Sequence, residues 1–195
     1  VMTDTGKEEC WNEHDVLSIE LGVGCKFNCS FCTTPFKKTD TLFQSVDNLV
    51  YTLSTAYEKY GVSHFNIVDE TSNEVDEKYD NLLTAVRQLD YQPSFTGYAR
   101  LDMVAAKPYQ IEQMAEIGIK GLFFGIETFN EKAAKMIRKG GPRQRLYDTL
   151  KESLNESSSI GVITQTNPET ETETAAGEGT TQTTETTESS GGAVS

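Results

Sequence analysis

The pattern that most constrains this chain is a short apolar strand followed by an amphipathic helix, repeated four times. Val16–Gly22 (VLSIELG) alternates and stops at Gly22 and Gly24, as a strand does. Ser45–Tyr60 then carries Val46, Leu49, Val50, Leu53, Tyr57 and Tyr60 at spacings of three and four, the single apolar stripe of a helix. Ser45 is placed to cap that helix and Gly61 to end it. His64–Glu70 (HFNIVDE) reads as the second strand and Asp76–Leu89 as its helix. Ser94–Arg100 (SFTGYAR) is the third strand, and a helix begins near Pro108, a residue suited to a first helical turn. Gly121–Glu127 (GLFFGIE) is the fourth strand, apolar enough to be buried on both faces. Helices follow over Glu131–Lys139, capped by Asn130, and over Arg143–Leu154. Ser159–Gln165 (SIGVITQ) can start a fifth strand. Repeated strand–helix units imply parallel pairing with right-handed crossovers. The fold class is α/β, an incomplete (βα) TIM-like barrel with four parallel strands, or five with SIGVITQ.

Sheets of this kind carry their functional loops at the carboxyl ends of the strands. Here those ends hold chemistry. After the first strand come Cys25, Cys29 and Cys32, in the run Gly24-Cys25-Lys26-Phe27-Asn28-Cys29-Ser30-Phe31-Cys32. The second strand ends in Asp69-Glu70, the third in Arg100 and the fourth in Glu127. Thiolates are soft ligands that favour zinc or iron–sulfur clusters. Three of them on a short loop can hold three corners of an iron–sulfur cube and leave the fourth iron open. A structural zinc ion normally needs a fourth ligand, and Cys10 and His14 lack a finger-like spacing to the others. An electron-transfer ferredoxin wants four cysteines per cluster. An open corner suits a substrate or cofactor that ligates the cluster directly.

The spacing C-x3-C-x2-C, with Phe31 before the last cysteine and directly after a first strand, resembles the radical S-adenosylmethionine (radical SAM) superfamily. The resemblance covers roughly residues 15–140. The segment from Tyr98 to Gly140, YARLDMVAAKPYQIEQMAEIGIKGLFFGIETFNEKAAKMIRKG, is similar to the third and fourth βα units of its cobalamin-binding branch. The resemblance implies a [4Fe–4S] cluster on Cys25, Cys29 and Cys32, with the amino and carboxylate groups of S-adenosylmethionine on the remaining iron. One electron then cleaves the sulfonium, and a 5′-deoxyadenosyl radical abstracts hydrogen from a substrate. By position, Phe31 lies near the adenine and Arg100 pairs with the methionine carboxylate, for which a guanidinium fork is well shaped. Glu127, within Gly125-Ile126-Glu127, meets the ribose hydroxyls or the amino group, with Gly125 part of that cofactor site. Asp69 and Glu70 stand where the family has a Gly-Gly-Glu motif, and this chain lacks the glycines. The implied partners are a small-molecule or peptide substrate and an electron donor such as flavodoxin or ferredoxin. A second copy or another chain can complete the barrel. Cobalamin finds no support in this chain's own residues. The alternative readings are a truncated cluster-binding module without turnover and a structural zinc protein.

Charge and composition set the outer limits. The chain has 195 residues and a net charge of −13, with 17 Lys+Arg against 30 Asp+Glu. Every basic residue lies before Glu152, whereas the segment from Glu152 on holds eight acidic residues. Such a balance argues against a general nucleic-acid binder and against a polybasic membrane-surface protein. No apolar run approaches the ~20 residues of a membrane span, and no signal-peptide pattern opens the chain. The division expected is a polar lead-in over 1–14, a (βα) core over 15–159 and a Thr/Glu-rich disordered tail over 160–195. Clustered cysteines suit a reducing, cytoplasmic compartment. Of the remaining residues, His64 reads as structural, the Tyr57 and Tyr60 stripe as core, and Lys37-Lys38 as a solvated basic pair.

Overall fold

The computed structural model describes residues 15–153 and 161–166. In chain order its elements are β1 (Val16–Ile19), β2 (Gly22–Val23), β3 (Leu42–Phe43), α1 (Val46–Tyr60), β4 (His64–Ile67), α2 (Asp76–Val86), β5 (Ser94–Ala99), α3 (Leu101–Ala106), α4 (Tyr109–Ile117), β6 (Ile119–Glu127), α5 (Glu131–Ile137), α6 (Arg143–Ser153) and β7 (Gly161–Thr166). The main sheet has the order β1-β4-β5-β6-β7, and every pair in it is parallel. Strand order follows chain order, the winding of a (βα) barrel rather than of a doubly wound sheet. The five strands form an open arc of such a barrel. The α/β expectation is met, and SIGVITQ does supply a fifth strand, so the sheet runs past residue 159. Cys10, His14 and the stretch Asn167–Thr170 lie outside the described residues.

One face of the sheet is packed. Ile19, Phe65, Ile67, Phe95, Ala99, Leu122, Phe124 and Ile126 alternate along the strands and are buried with Leu49 and Leu53 of α1, Leu82 of α2 and Met114 of α4. The alternate positions look the other way. Val16 is 55% exposed and Tyr98 52% exposed, and Phe123 is half-buried. The expectation that the fourth strand is buried on both faces is therefore corrected. The composition of β6 is apolar enough for a closed barrel, but the arc leaves its inner side uncovered. The α1 stripe divides likewise. Leu49, Leu53 and Ala56 are buried, whereas Tyr57 is 41% exposed and stacks on Tyr91 with ring centroids 3.9 Å apart. Tyr57 is thus a rim residue and not core.

Local signals explain most boundaries. Ser45 accepts from the Asn48 amide and Gly61 adopts φ 72°, so α1 is capped at both ends as its sequence indicates. Asn130 accepts from the Lys132 and Ala133 amides at the start of α5. The first strand divides after Ile19, and Gly22–Val23 turns away to pair antiparallel with Leu42–Phe43. This small ladder closes the loop that bears the cysteines. Helix α2 stops at Val86, three residues short of the expected Leu89. Helix α3, unforeseen, follows Arg100 at once.

Gly118 shapes the entry to β6. It adopts φ 96°, and a Cβ there would stand 2.5 Å from the Pro93 carbonyl oxygen. Gly118→Ala should therefore lower stability by more than ~1 kcal/mol, read from the urea midpoint of the pure protein. A midpoint equal to that of the parent would contradict this packing.

Candidate functional site

The carboxyl ends of the strands meet as the sequence implies, and Arg100 stands among them. Asn73 holds the end of β5 in place, because its Oδ1 accepts from the Arg100 amide at 2.9 Å and its Nδ2 donates to the Arg100 carbonyl at 3.1 Å. The guanidinium is 7% exposed and forms a two-point pair with Asp102, Nε to Oδ1 at 2.9 Å and Nη2 to Oδ2 at 2.5 Å. Its Nη1 donates to Cys29 Sγ at 3.1 Å, and its plane lies 3.8 Å from the centroid of Phe27. Asp102 also accepts from the Gly140 amide at 3.1 Å. One ion pair therefore joins the cysteine loop, the β5–α3 junction and the segment after α5. Burial pushes the Asp102 carboxyl up, but Arg100, the Gly140 amide and Lys139 hold it below the usual carboxylate range. Burial works against the Arg100 cation, yet Asp102 and Cys29 raise its pKa further.

The cysteine loop is held from both sides. Cys25 and Cys29 are buried, Cys32 is half-buried, and all three are free thiols. The Cys25 amide donates to the Phe36 carbonyl at 3.0 Å, and Cys25 Sγ lies 3.8 Å from Thr71 Oγ1. The Ser30 amide donates to the Ile137 carbonyl at 3.0 Å, and Cys29 Sγ lies 3.7 Å from the Arg138 carbonyl. Lys37, read from sequence as part of a solvated pair, donates through Nζ to the Cys32 carbonyl at 2.6 Å.

Glu127 ends β6 in a left-handed conformation, φ 65°. The β6–β7 register shifts at this point, a bulge that turns the side chain. Its Oε1 accepts from Lys139 Nζ at 3.0 Å, and Lys139 stands 5.5 Å from the centroid of the exposed Phe31 ring. A Cβ at Gly125 would lie 2.9 Å from Lys139 Nζ, so the glycine leaves room for the pair.

Asp69 is drawn elsewhere. Its Oδ2 lies 2.6 Å from Lys78 Nζ, and its Oδ1 accepts from the Leu21 amide at 2.7 Å. Lys78 also reaches Glu74 Oε1 at 2.9 Å and the Thr71 carbonyl at 2.9 Å, with every charged side chain fully buried. Burial raises the Asp69 pKa despite Lys78. This knot fixes residues 69–74 beneath the cysteine loop. Glu70 remains exposed at the carboxyl end of β4. Phe27, Asn73, Lys78, Asp102 and Lys139 were missed from sequence. Only Asp102 carried a signal, being two residues beyond Arg100 with the opposite charge.

The donor set fits an iron–sulfur cube. Three thiols share one short loop, and a cation faces one of the sulfurs, complementary to a thiolate ligand. Among the described residues, no three His, Cys, Asp or Glu side chains gather as the shell of a single metal ion. A cube instead takes one thiolate at each of three separate irons. Three of the five N–H donors of Arg100 are engaged in these contacts with Asp102 and Cys29.

A depressed carboxyl pKa contributes stability that is present above its unfolded value and lost as pH falls through its folded value. Asp102→Asn should therefore cost roughly 3 kcal/mol at neutral pH. The difference from the parent should shrink toward pH 3, as read by denaturant unfolding across pH. A pH-independent difference would contradict the Arg100–Asp102 account.

Comparison with known proteins supplies the family. The model of the radical SAM superfamily matches residues 19–174. An uncharacterized methyltransferase of Pyrococcus horikoshii is 26% identical over 129 residues, 66% of this chain and 28% of that protein. Among solved structures, the cobalamin-dependent S-adenosylmethionine radical enzyme OxsB, with aqua-cobalamin and S-adenosylmethionine bound, aligns with a TM-score of 0.64 at 17% identity. That alignment covers 77% of this chain and 23% of OxsB. The radical S-adenosylmethionine methyltransferase TsrM from Kitasatospora setae aligns at 0.56 and 16% identity, over 77% of this chain and 30% of TsrM. The chain thus spans under a third of each of these proteins, and the solved structures speak for the fold alone. With a family match over most of its length, the cysteine loop included, the chain belongs to the radical SAM superfamily.

Proposed function

We propose that Cys25, Cys29 and Cys32 hold a [4Fe–4S] cluster and that S-adenosylmethionine binds beside it at the carboxyl face of the sheet. The observation that carries this reading is the single loop of three free thiols, joined through Arg100 to the end of β5. When bound, the cluster would supply the one electron that breaks the C5′–S bond of S-adenosylmethionine, giving methionine and a 5′-deoxyadenosyl radical. The chain's own residues position. Asp102 and Phe27 orient Arg100, whose two remaining N–H donors face the methionine carboxylate. Glu127 at the end of β6 and Glu70 beyond the end of β4, on either side of β5, offer acceptors for the amino group or the ribose hydroxyls. Phe31 and Gly125 lie beside the Lys139–Glu127 pair, where the exposed Phe31 ring offers a planar adenine an aromatic edge. The exposed inner side chains of the sheet, Tyr98 among them, face the hydrogen donor, which belongs to an organic substrate. The relative named as a methyltransferase favours an outcome in which carbon or a heteroatom gains a methyl group. No described residue is assigned to cobalamin.

A second reading has its own support. The chain spans 28% of its methyltransferase relative, and the inner side of its sheet is uncovered. In that reading these residues are the cofactor-binding part of a larger catalytic unit, completed by further chain or by a partner.

Anaerobic reconstitution with iron and sulfide should give a brown protein with about four irons per chain. Addition of dithionite and S-adenosylmethionine should release 5′-deoxyadenosine. Cys29→Ala should abolish both. Uptake of zinc in place of iron would overturn the reading. A cluster that never yields 5′-deoxyadenosine would favour the second reading.

A further inference from the structure

The three thiols share one loop, but their sulfurs do not stand alike. Cys25 Sγ lies 3.8 Å from Thr71 Oγ1, a hydroxyl that donates to the Glu70 carbonyl at 2.8 Å. Cys29 Sγ accepts from Arg100 Nη1 at 3.1 Å, and its own hydrogen is directed to the Arg138 carbonyl at 3.7 Å. Among the described residues, Cys29 is the thiol whose sulfur accepts a hydrogen bond from a charged donor. Cys29 and Arg100 are both buried, so water screens the contact little. The guanidinium is held on several sides. Asp102 takes its Nε and Nη2 edge, Phe27 lies against its plane, and Asn73 bonds its backbone at both the amide and the carbonyl. Asp102 also balances its charge. What reaches Cys29 is therefore an oriented N–H from a neutral pair and not a bare cation.

From this geometry we propose that Arg100, with Asp102 as its positioning residue, raises the reduction potential of the cluster through its hydrogen bond to Cys29. The proposal rests on the cofactor reading above and gives Arg100 a role that does not depend on contact with S-adenosylmethionine. On reduction, one electron from an external low-potential reductant such as dithionite enters the oxidised cluster. The reductant is oxidised by that electron, and no bond within the cluster or to its cysteines forms or breaks. The added negative charge falls in part on the ligand sulfurs. An N–H aimed at one of them stabilises the reduced state more than the oxidised one, which raises the potential. Burial of the loop acts in the other direction, because a poor solvent disfavours the state of higher charge. Arg100 offsets that penalty at Cys29.

The test is a redox titration of cluster-loaded protein without S-adenosylmethionine, followed by electron paramagnetic resonance. The variant R100M/D102L removes both charges together, so the net charge is unchanged, and apolar replacement of a whole buried pair is commonly tolerated. At the parent's midpoint potential, its ratio of reduced to oxidised cluster should be about fivefold or more below the parent's. R87Q/E116Q removes an exposed ion pair elsewhere and should titrate as the parent does. The proposal is overturned if R100M/D102L titrates as the parent does or at a higher potential, or if R87Q/E116Q shifts equally. A second measurement needs no substitution at the pair. Reduced protein labelled with nitrogen-15 in its arginine guanidinium groups should show spin-echo modulation from a labelled nitrogen coupled to the cluster. R138K should keep that coupling. Its absence from the parent, or its loss in R138K, overturns the proposal even where R100M/D102L takes up no cluster. A loaded cluster whose potential ignores the pair removes this proposal and leaves the cofactor reading standing. Parent protein that assembles no cluster removes both.

Discussion

The Arg100–Asp102 pair is the interaction on which the site depends. Parallel strands bring their carboxyl ends to one face, but they do not by themselves fix a long loop there. The pair does so by reaching in three directions at once. Its cation meets Cys29 and Phe27 on the cysteine loop, and its anion meets the Gly140 amide behind α5. A buried pair of this kind gains little net stability over apolar packing, but losing one partner strands the other in a poor solvent. Its use here is registration. Asn73 performs the same service for the backbone of Arg100, and Lys78 for the neighbouring 69–74 segment, so the loop rests on two buried polar knots.

Much of this was legible in the sequence. The strand–helix alternation gave the parallel sheet, because apolar periods of two and of three to four survive in single segments. The caps at Ser45, Gly61 and Asn130 were readable because each is a local event. The cysteine spacing led to the family. What escaped was non-local or short. The β2–β3 ladder has two residues on each side, too few to show a period, and Leu42 and Phe43 are not even buried. Helix α3 has six residues. Asp69 ended a strand just as Glu127 did, yet one folds under the loop and the other onto Lys139. That choice is made by Lys78, nine residues further on, and by Lys139, twelve residues beyond Glu127. Lys37 looked like half of a solvated pair because its partner, the Cys32 carbonyl, is a backbone group that no side-chain pattern marks.

The open inner face connects fold to function. An arc of five strands buries its outer side under helices and leaves Val16 and Tyr98 to solvent. In a closed barrel the same positions line an interior. The relatives matched here are more than three times longer than the aligned part of this chain.

The central claim is that three thiols hold three irons and leave a fourth for S-adenosylmethionine. The most direct measurement is the electron paramagnetic resonance spectrum of the reduced, reconstituted protein with and without S-adenosylmethionine. The account predicts a reduced-cluster signal whose g-values shift when S-adenosylmethionine is added, because a new ligand reaches the open iron. A reduced-cluster signal that S-adenosylmethionine leaves unchanged would contradict it.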